Sequence, residues 1–225
     1  MNWRLKIKSF LSYGVAVARG KALAGIMLAA SPAWAEEVTV LAFGDSLTQG
    51  YGLAEADGFV PQLQGWLEAQ GAEARLINGG VSGDTTAGGA SRVEWSLTPE
   101  VDAMIVALGA NDLLRGIDPD VSRENLDRIL AAAQTREVPV LLVGMDAPGN
   151  YGPEYKAAFE GMYPALADAY GTLHFESFFK GLGTTDLAVA QEFFQSDGIH
   201  PNADGVARIV EAMGPAVLEL IGEGR

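Results

Sequence analysis

Leu41-Ala42-Phe43-Gly44-Asp45-Ser46-Leu47-Thr48-Gln49-Gly50 is the stretch on which the reading of this chain turns. Val38 to Phe43 is largely apolar and rich in β-branched residues, the pattern of a buried strand. It stops at a glycine, and Asp45 and Ser46 follow at once. A serine just past the carboxyl end of a buried strand sits where open α/β sheets bind their ligands. If a helix starts there, its free N–H groups and positive dipole end lie beside the serine oxygen. Ser46 therefore reads either as a nucleophile or as a plain helix N-cap.

Outward from this stretch, strand-like runs alternate with helix-like ones. The expected strands are Val38–Phe43, Ala74–Ile77, Ala103–Leu108, Val138–Val143 and Thr172–Phe175. About four amphipathic segments lie between them, as in successive βαβ units. Asp118-Pro119 reads as an N-cap followed by proline in the first helical position, and Leu126, Ile129, Leu130 and Ala133 continue a helical stripe. Val206, Ile209, Val210, Met213 and Val217 form another stripe, which Pro215 is expected to kink or split. One α/β domain with a mainly parallel five-stranded sheet is the expected architecture.

The loops after the strands carry the chemistry. Asn78-Gly79-Gly80-Val81-Ser82-Gly83-Asp84-Thr85-Thr86 reads either as an ordinary glycine-rich turn or as backbone that closely approaches a ligand. Asn111 and Asp112 follow the third strand; both are turn formers, and an asparagine amide also donates well to a developing oxyanion. Near the end stands Ser196-Asp197-Gly198-Ile199-His200-Pro201-Asn202. A serine nucleophile needs a base, and the base needs an orienting group. Asp197 and His200 fit that pair, a plain surface turn, or two metal ligands. His174, the other histidine, sits in an apolar run and reads as structural. Asp45 and Asp112 are assigned to local turn bonding.

The first 35 residues differ from the rest. Arg4, Lys6, Lys8, Arg19 and Lys21 are basic, and no Asp or Glu occurs before Glu36. Ala22 to Ala30 is a small-apolar run of nine residues, too short to span a bilayer, and Ala33-Trp34-Ala35 ends it. This is the layout of a secretory signal peptide over residues 1–35, cleaved after Ala35, with an uncleaved anchor as the lesser alternative. A domain at 36–225 follows, destined for the periplasm or secretion. The leader holds five of the 15 basic residues and none of the 29 acidic ones, which leaves the mature part at 10 minus 29, or −19. That charge repels nucleic acid and anionic lipid and disfavours a highly anionic substrate. With no cysteine, disulfides, thiolate catalysis and cysteine zinc sites are excluded.

Four of these segments together resemble the SGNH, or GDSL, hydrolase superfamily. Gly44-Asp45-Ser46-Leu47 matches its nucleophile block and Ser82-Gly83-Asp84-Thr85 its glycine block. Gly109-Ala110-Asn111-Asp112 matches the asparagine block, and Asp197-Gly198-Ile199-His200-Pro201-Asn202 the Asp-x-x-His block. Their order is the family's, and the likeness spans nearly the whole mature chain. Asn111-Asp112-Leu113-Leu114-Arg115-Gly116, Pro148-Gly149-Asn150-Tyr151-Gly152 and the leader make it most similar to the bacterial arylesterase and thioesterase I/lysophospholipase group.

The resemblance implies a three-layer α/β/α domain of the flavodoxin-like SGNH kind, with no metal or organic cofactor. It implies Ser46 as nucleophile, His200 as base and Asp197 as its orienter. The oxyanion hole it implies is the backbone N–H of Ser46, that of Gly83 and the side-chain amide of Asn111. The implied substrate is a small-molecule carboxylic ester: an acyl or aryl ester or a lysophospholipid, with thioesters as a side activity. A carbohydrate O-deacetylase and a non-catalytic binding protein of the same fold are the alternatives. Ala147, with Asp146 beside it, is expected to line the acyl groove and to favour short and medium chains, with Leu113, Leu114 or Tyr151 as the alternative source of apolar surface.

Overall fold

The computed structural model describes residues 37–183 and 191–224. The expected leader cleavage after Ala35 lies outside them. Five strands form one parallel sheet in the order β2-β1-β3-β4-β5. They are β1 Val38–Gly44, β2 Ala74–Gly80, β3 Ala103–Ala107, β4 Val140–Val143 and β5 Leu173–Phe175. The chain runs outward from β1 in both directions, so the loops after β1 and β3 part company at the switch point where such sheets open a crevice.

Seven helices accompany the strands among the described residues: α1 Ser46–Gln49, α2 Phe59–Ala69, α3 Thr86–Ser96, α4 Ala110–Leu114, α5 Pro119–Thr135, α6 Pro153–Tyr170 and α7 Ala203–Glu223. α2 packs with α7 on one face of the sheet, and α5 packs with α3 and α6 on the other. β1, β3 and β4 are buried along their whole length, which explains their unbroken apolar runs. Leu126, Ile129, Leu130 and Ala133 are buried on α5, and the Asp118 side chain accepts from Asp120 N–H as the anticipated N-cap.

Two departures from the sequence reading have clear causes. β2 runs three residues further than Ile77, because Asn78, Gly79 and Gly80 still pair with Ala42, Phe43 and Gly44. These glycines are strand, not turn. A Cβ on Gly80 would lie 2.3 Å from the backbone nitrogen of Gln49, so α1 can lie against the strand end only because the side chain is missing. The second departure is Pro215, which does not split α7. Proline removes one N–H, while the buried face of Val206, Ile209, Val210, Met213, Val217 and Leu220 continues through it. Gly214 beside it lets the Trp66 ring approach the helix backbone.

Candidate active site

Asp45 sits at the end of β1 and caps α1, its Oδ1 accepting from Leu47 N–H at 3.0 Å. Ser46 is therefore the first helical residue and not the cap. Its hydroxyl is left free for another partner, and that partner is His200: Nε2 lies 2.8 Å from Oγ. The other ring nitrogen, Nδ1, lies 2.7 Å from Asp197 Oδ2. Oδ1 of Asp197 accepts from the backbone N–H groups of Ile199 and His200, at 2.9 and 3.1 Å. The His200 side-chain bond, followed by these two N–H groups, holds the Asp197 carboxyl down at about 2. Both imidazole nitrogens are thus in use, which leaves none for a metal. Among the described residues no group of three or more His, Asp or Glu is arranged to hold one.

The loop carrying the pair is fixed by its own backbone. Gln195 N–H donates to the His200 carbonyl, and Gln195 Nε2 donates to the carbonyls of Tyr51 and Pro201. The Tyr51 ring lies against the imidazole, with centroids 4.7 Å apart. His174 lies apart from this cluster, on the edge strand β5.

Gly83 and Asn111 join Ser46 and His200 around one cavity of about 290 Å³. Gly83 has φ +82°, a left-handed turn that suits glycine. Among the described residues, the backbone N–H groups of Ser46 and Gly83 donate to no protein acceptor. The rest of the wall is mainly apolar, with Leu47, Leu113, Leu114, Met145, Phe179 and Ile199, but Ser82 and the carboxylate of Asp146 also line it. A larger cavity of about 470 Å³ lies at the amino ends of β4 and β5, bordered by Val138, Pro139 and Thr172, on the far edge of the sheet from Ser46.

Several residues the sequence reading missed, or assigned otherwise, shape this site. Ala147 is buried and absent from the cavity wall; its N–H donates to Glu160 Oε1. Of the alternatives, Leu113 and Leu114 line the cavity and Tyr151 does not; Met145 adds to the apolar surface, and Asp146 lines it as expected. Asp112 does no local turn bonding. It is fully buried, and its carboxyl accepts from Thr86 N–H (2.8 Å), Thr86 Oγ1 (2.5 Å) and Ser122 Oγ (3.0 Å), joining the starts of α3 and α5 to α4. Asp45 bonds locally, as expected, but also reaches Asn111.

Arg92 had no signal in the sequence, yet it ties together the ends of β1 and β2 and the glycine loop. Its Nε donates to Asp84 Oδ2 at 2.6 Å, Nη1 to the Gly79 carbonyl at 2.9 Å and Nη2 to the Gly44 carbonyl at 2.8 Å. Its Cζ lies 3.9 Å from the Phe43 ring centroid. The planar guanidinium reaches all three loop ends at once, which a lysine could not do.

A model of the GDSL-like lipase/acylhydrolase family matches residues 42–208, a span that includes the serine, glycine, asparagine and Asp-x-x-His segments. The chain belongs to this family. Curated relatives agree. The chain is 37% identical over 184 residues to esterase TesA of Pseudomonas aeruginosa, covering 81% of this chain and 89% of that one. It is 29% identical over 184 residues to thioesterase 1/protease 1/lysophospholipase L1 of Escherichia coli, covering 81% and 85%. Among solved structures it is similar to AlinE4, an SGNH-hydrolase family esterase, with 41% identity, a TM-score of 0.67 and coverage of 82% of this chain and 97% of that one. The GDSL fold thus accounts for both the sheet order and the loops gathered around Ser46.

Proposed function

We propose that this ester hydrolase works through Ser46, His200 and Asp197. The observation that carries the reading is the unbroken chain of short contacts from Ser46 Oγ through the imidazole to Asp197. His200 Nε2 takes the Ser46 proton as Oγ attacks the ester carbonyl. Asp197 holds the ring with Nδ1–H toward itself, the tautomer that leaves Nε2 able to accept. The tetrahedral oxyanion is met by the N–H groups of Ser46 and Gly83 and by the amide of Asn111. The imidazolium returns its proton to the departing alcohol. Water then attacks the acyl-serine by the same route in reverse.

The apolar wall points to the acyl side of the ester. A cavity of about 290 Å³ lies at the small end of ligand pockets, so short and medium acyl groups suit it better than long ones. Simple acyl and aryl esters fit the −19 charge better than acyl-CoA, which is strongly anionic. A series of p-nitrophenyl esters from acetate to palmitate tests this. The specificity constant is expected to peak at butyrate to octanoate and to fall at palmitate. Leu114 is 56% exposed, so Leu114→Ala removes wall surface without opening the core. It is expected to lower kcat/KM for octanoate about fivefold, from roughly 1 kcal/mol of lost apolar burial, and to leave acetate nearly unchanged. A peak at palmitate, or an equal loss on all chains, counts against this wall as the acyl site.

Residues 1–35 are proposed as an export signal, with the mature enzyme beginning at Glu36. None of the described helices is long and apolar enough to cross a membrane. Intact-mass measurement of the exported protein is expected to give the chain from Glu36. A full-length chain recovered with membranes would make the leader an anchor.

A further inference from the structure

The nucleophile loop and the asparagine loop meet at one more point. Asp45 is 1% exposed, and its Oδ2 accepts from Asn111 Nδ2 at 3.2 Å while Oδ1 holds Leu47 N–H. An asparagine amide has a donor end and an acceptor end of almost the same shape. An Asn111 side chain turned over would aim its carbonyl oxygen at the developing oxyanion and repel it. A carboxylate can only accept, so it bonds the amino end alone. We propose that Asp45 is a positioning residue that holds Asn111 amino-group first, one Nδ2 hydrogen on Asp45 and the other directed at the oxyanion. The inference rests on the oxyanion-hole reading given above.

The same placement gives Asp45 a titration that reports on it. Burial raises its carboxyl to about 6, against the lowering effects of Leu47 N–H, the Asn111 amide and the nearby His200; Asp112 adds a smaller raising effect. Once protonated, Asp45 is itself a donor, and either end of the Asn111 amide can face it. The hold on the amide is therefore present above about pH 6 and lost below it. The acid side of the kcat profile then contains a proton step that belongs to Asp45. Asp197, held at about 2, contributes none in that range.

A double-mutant cycle on hydrolysis of p-nitrophenyl butyrate tests the idea, using wild type, Asp45→Asn, Asn111→Ala and the double variant. Asn111→Ala is expected to lower kcat about 10²–10³-fold with little change in KM. Asp45→Asn, which offers both a donor and an acceptor, is expected to lower kcat about tenfold or more in wild type. In the Asn111→Ala background it is expected to cost less than twofold, because there is no amide left to orient. The wild-type acid limb is expected to contain a step near pH 6 that Asp45→Asn lacks. If Asp45→Asn does not fold, Asp45→Ser replaces it in the cycle, since a serine still caps α1. A kcat within twofold of wild type, an equal loss in both backgrounds, or an unchanged acid limb overturns the positioning role. An unchanged kcat in Asn111→Ala removes the oxyanion-hole reading itself, and this inference with it.

Discussion

Ser46→Ala and His200→Ala are each expected to lower kcat for p-nitrophenyl butyrate by about 10⁴–10⁶-fold, the range seen when one member of such a unit is removed. In the proposed mechanism both act in one proton transfer, so the double variant is expected to lose no more than either single one. The fold should survive. Among the described residues the Ser46 hydroxyl hydrogen-bonds only to His200, and His200 is a loop residue packed beside Tyr51 at the cavity. Tm within a few degrees of wild type, together with loss of fluorophosphonate labelling in Ser46→Ala, is the expected pair of readings. Wild-type-like turnover by Ser46→Ala would remove the serine from the chemistry. Asp197 adds a pH signature. Its folded-state pKa is depressed to about 2, so its stabilising contribution is complete above the ordinary carboxylate range near 3.8 and fades as the pH falls toward 2.

Asp112→Ala is expected to act on stability, by about 3–5 kcal/mol. The substitution strands one backbone N–H and two hydroxyls in a buried place, and each unsatisfied group costs roughly 1–3 kcal/mol before local relaxation. Asn125 Nδ2 leans on Thr86 Oγ1 at 3.2 Å, so the loss reaches a fourth side chain. For a chain of this size Tm should fall by about 10 °C or more. Asp112→Asn keeps one acceptor for Thr86 N–H, and the hydroxyls can rotate to accept from its amide. It is expected to lose less than half as much. A Tm change below 2 °C in Asp112→Ala, with a large fall in kcat, would instead put Asp112 in the reaction.

These expectations divide along the line between local and distant contacts. The strand runs, the Asp118-Pro119 helix start and the Asp197 turn are short-range devices. Asp197 binds backbone groups two and three residues ahead, so its spacing from His200 already fixes that turn. The four segments likewise named the residues that meet at the cavity. The glycines at 79 and 80 misled, because a missing side chain means the same thing in a turn and under a close helix until the neighbour is known.

The sequence by itself determined a parallel α/β chain with polar groups at its strand ends, because apolar periodicity, capping and turn chemistry act within a few residues. Only the tertiary structure decided which distant groups meet. Ser46 and His200 are 154 residues apart, Asp45 and Asn111 are 66 apart, and Arg92 and Gly44 are 48 apart. It also decided that Leu114 and Met145, and not Ala147, face the cavity. Which way a side chain turns after the end of β4 follows from what packs behind it, here Glu160 bonding the Ala147 N–H. The partner that fixes each of these choices comes from another strand end or helix, and no local pattern in a sequence carries it.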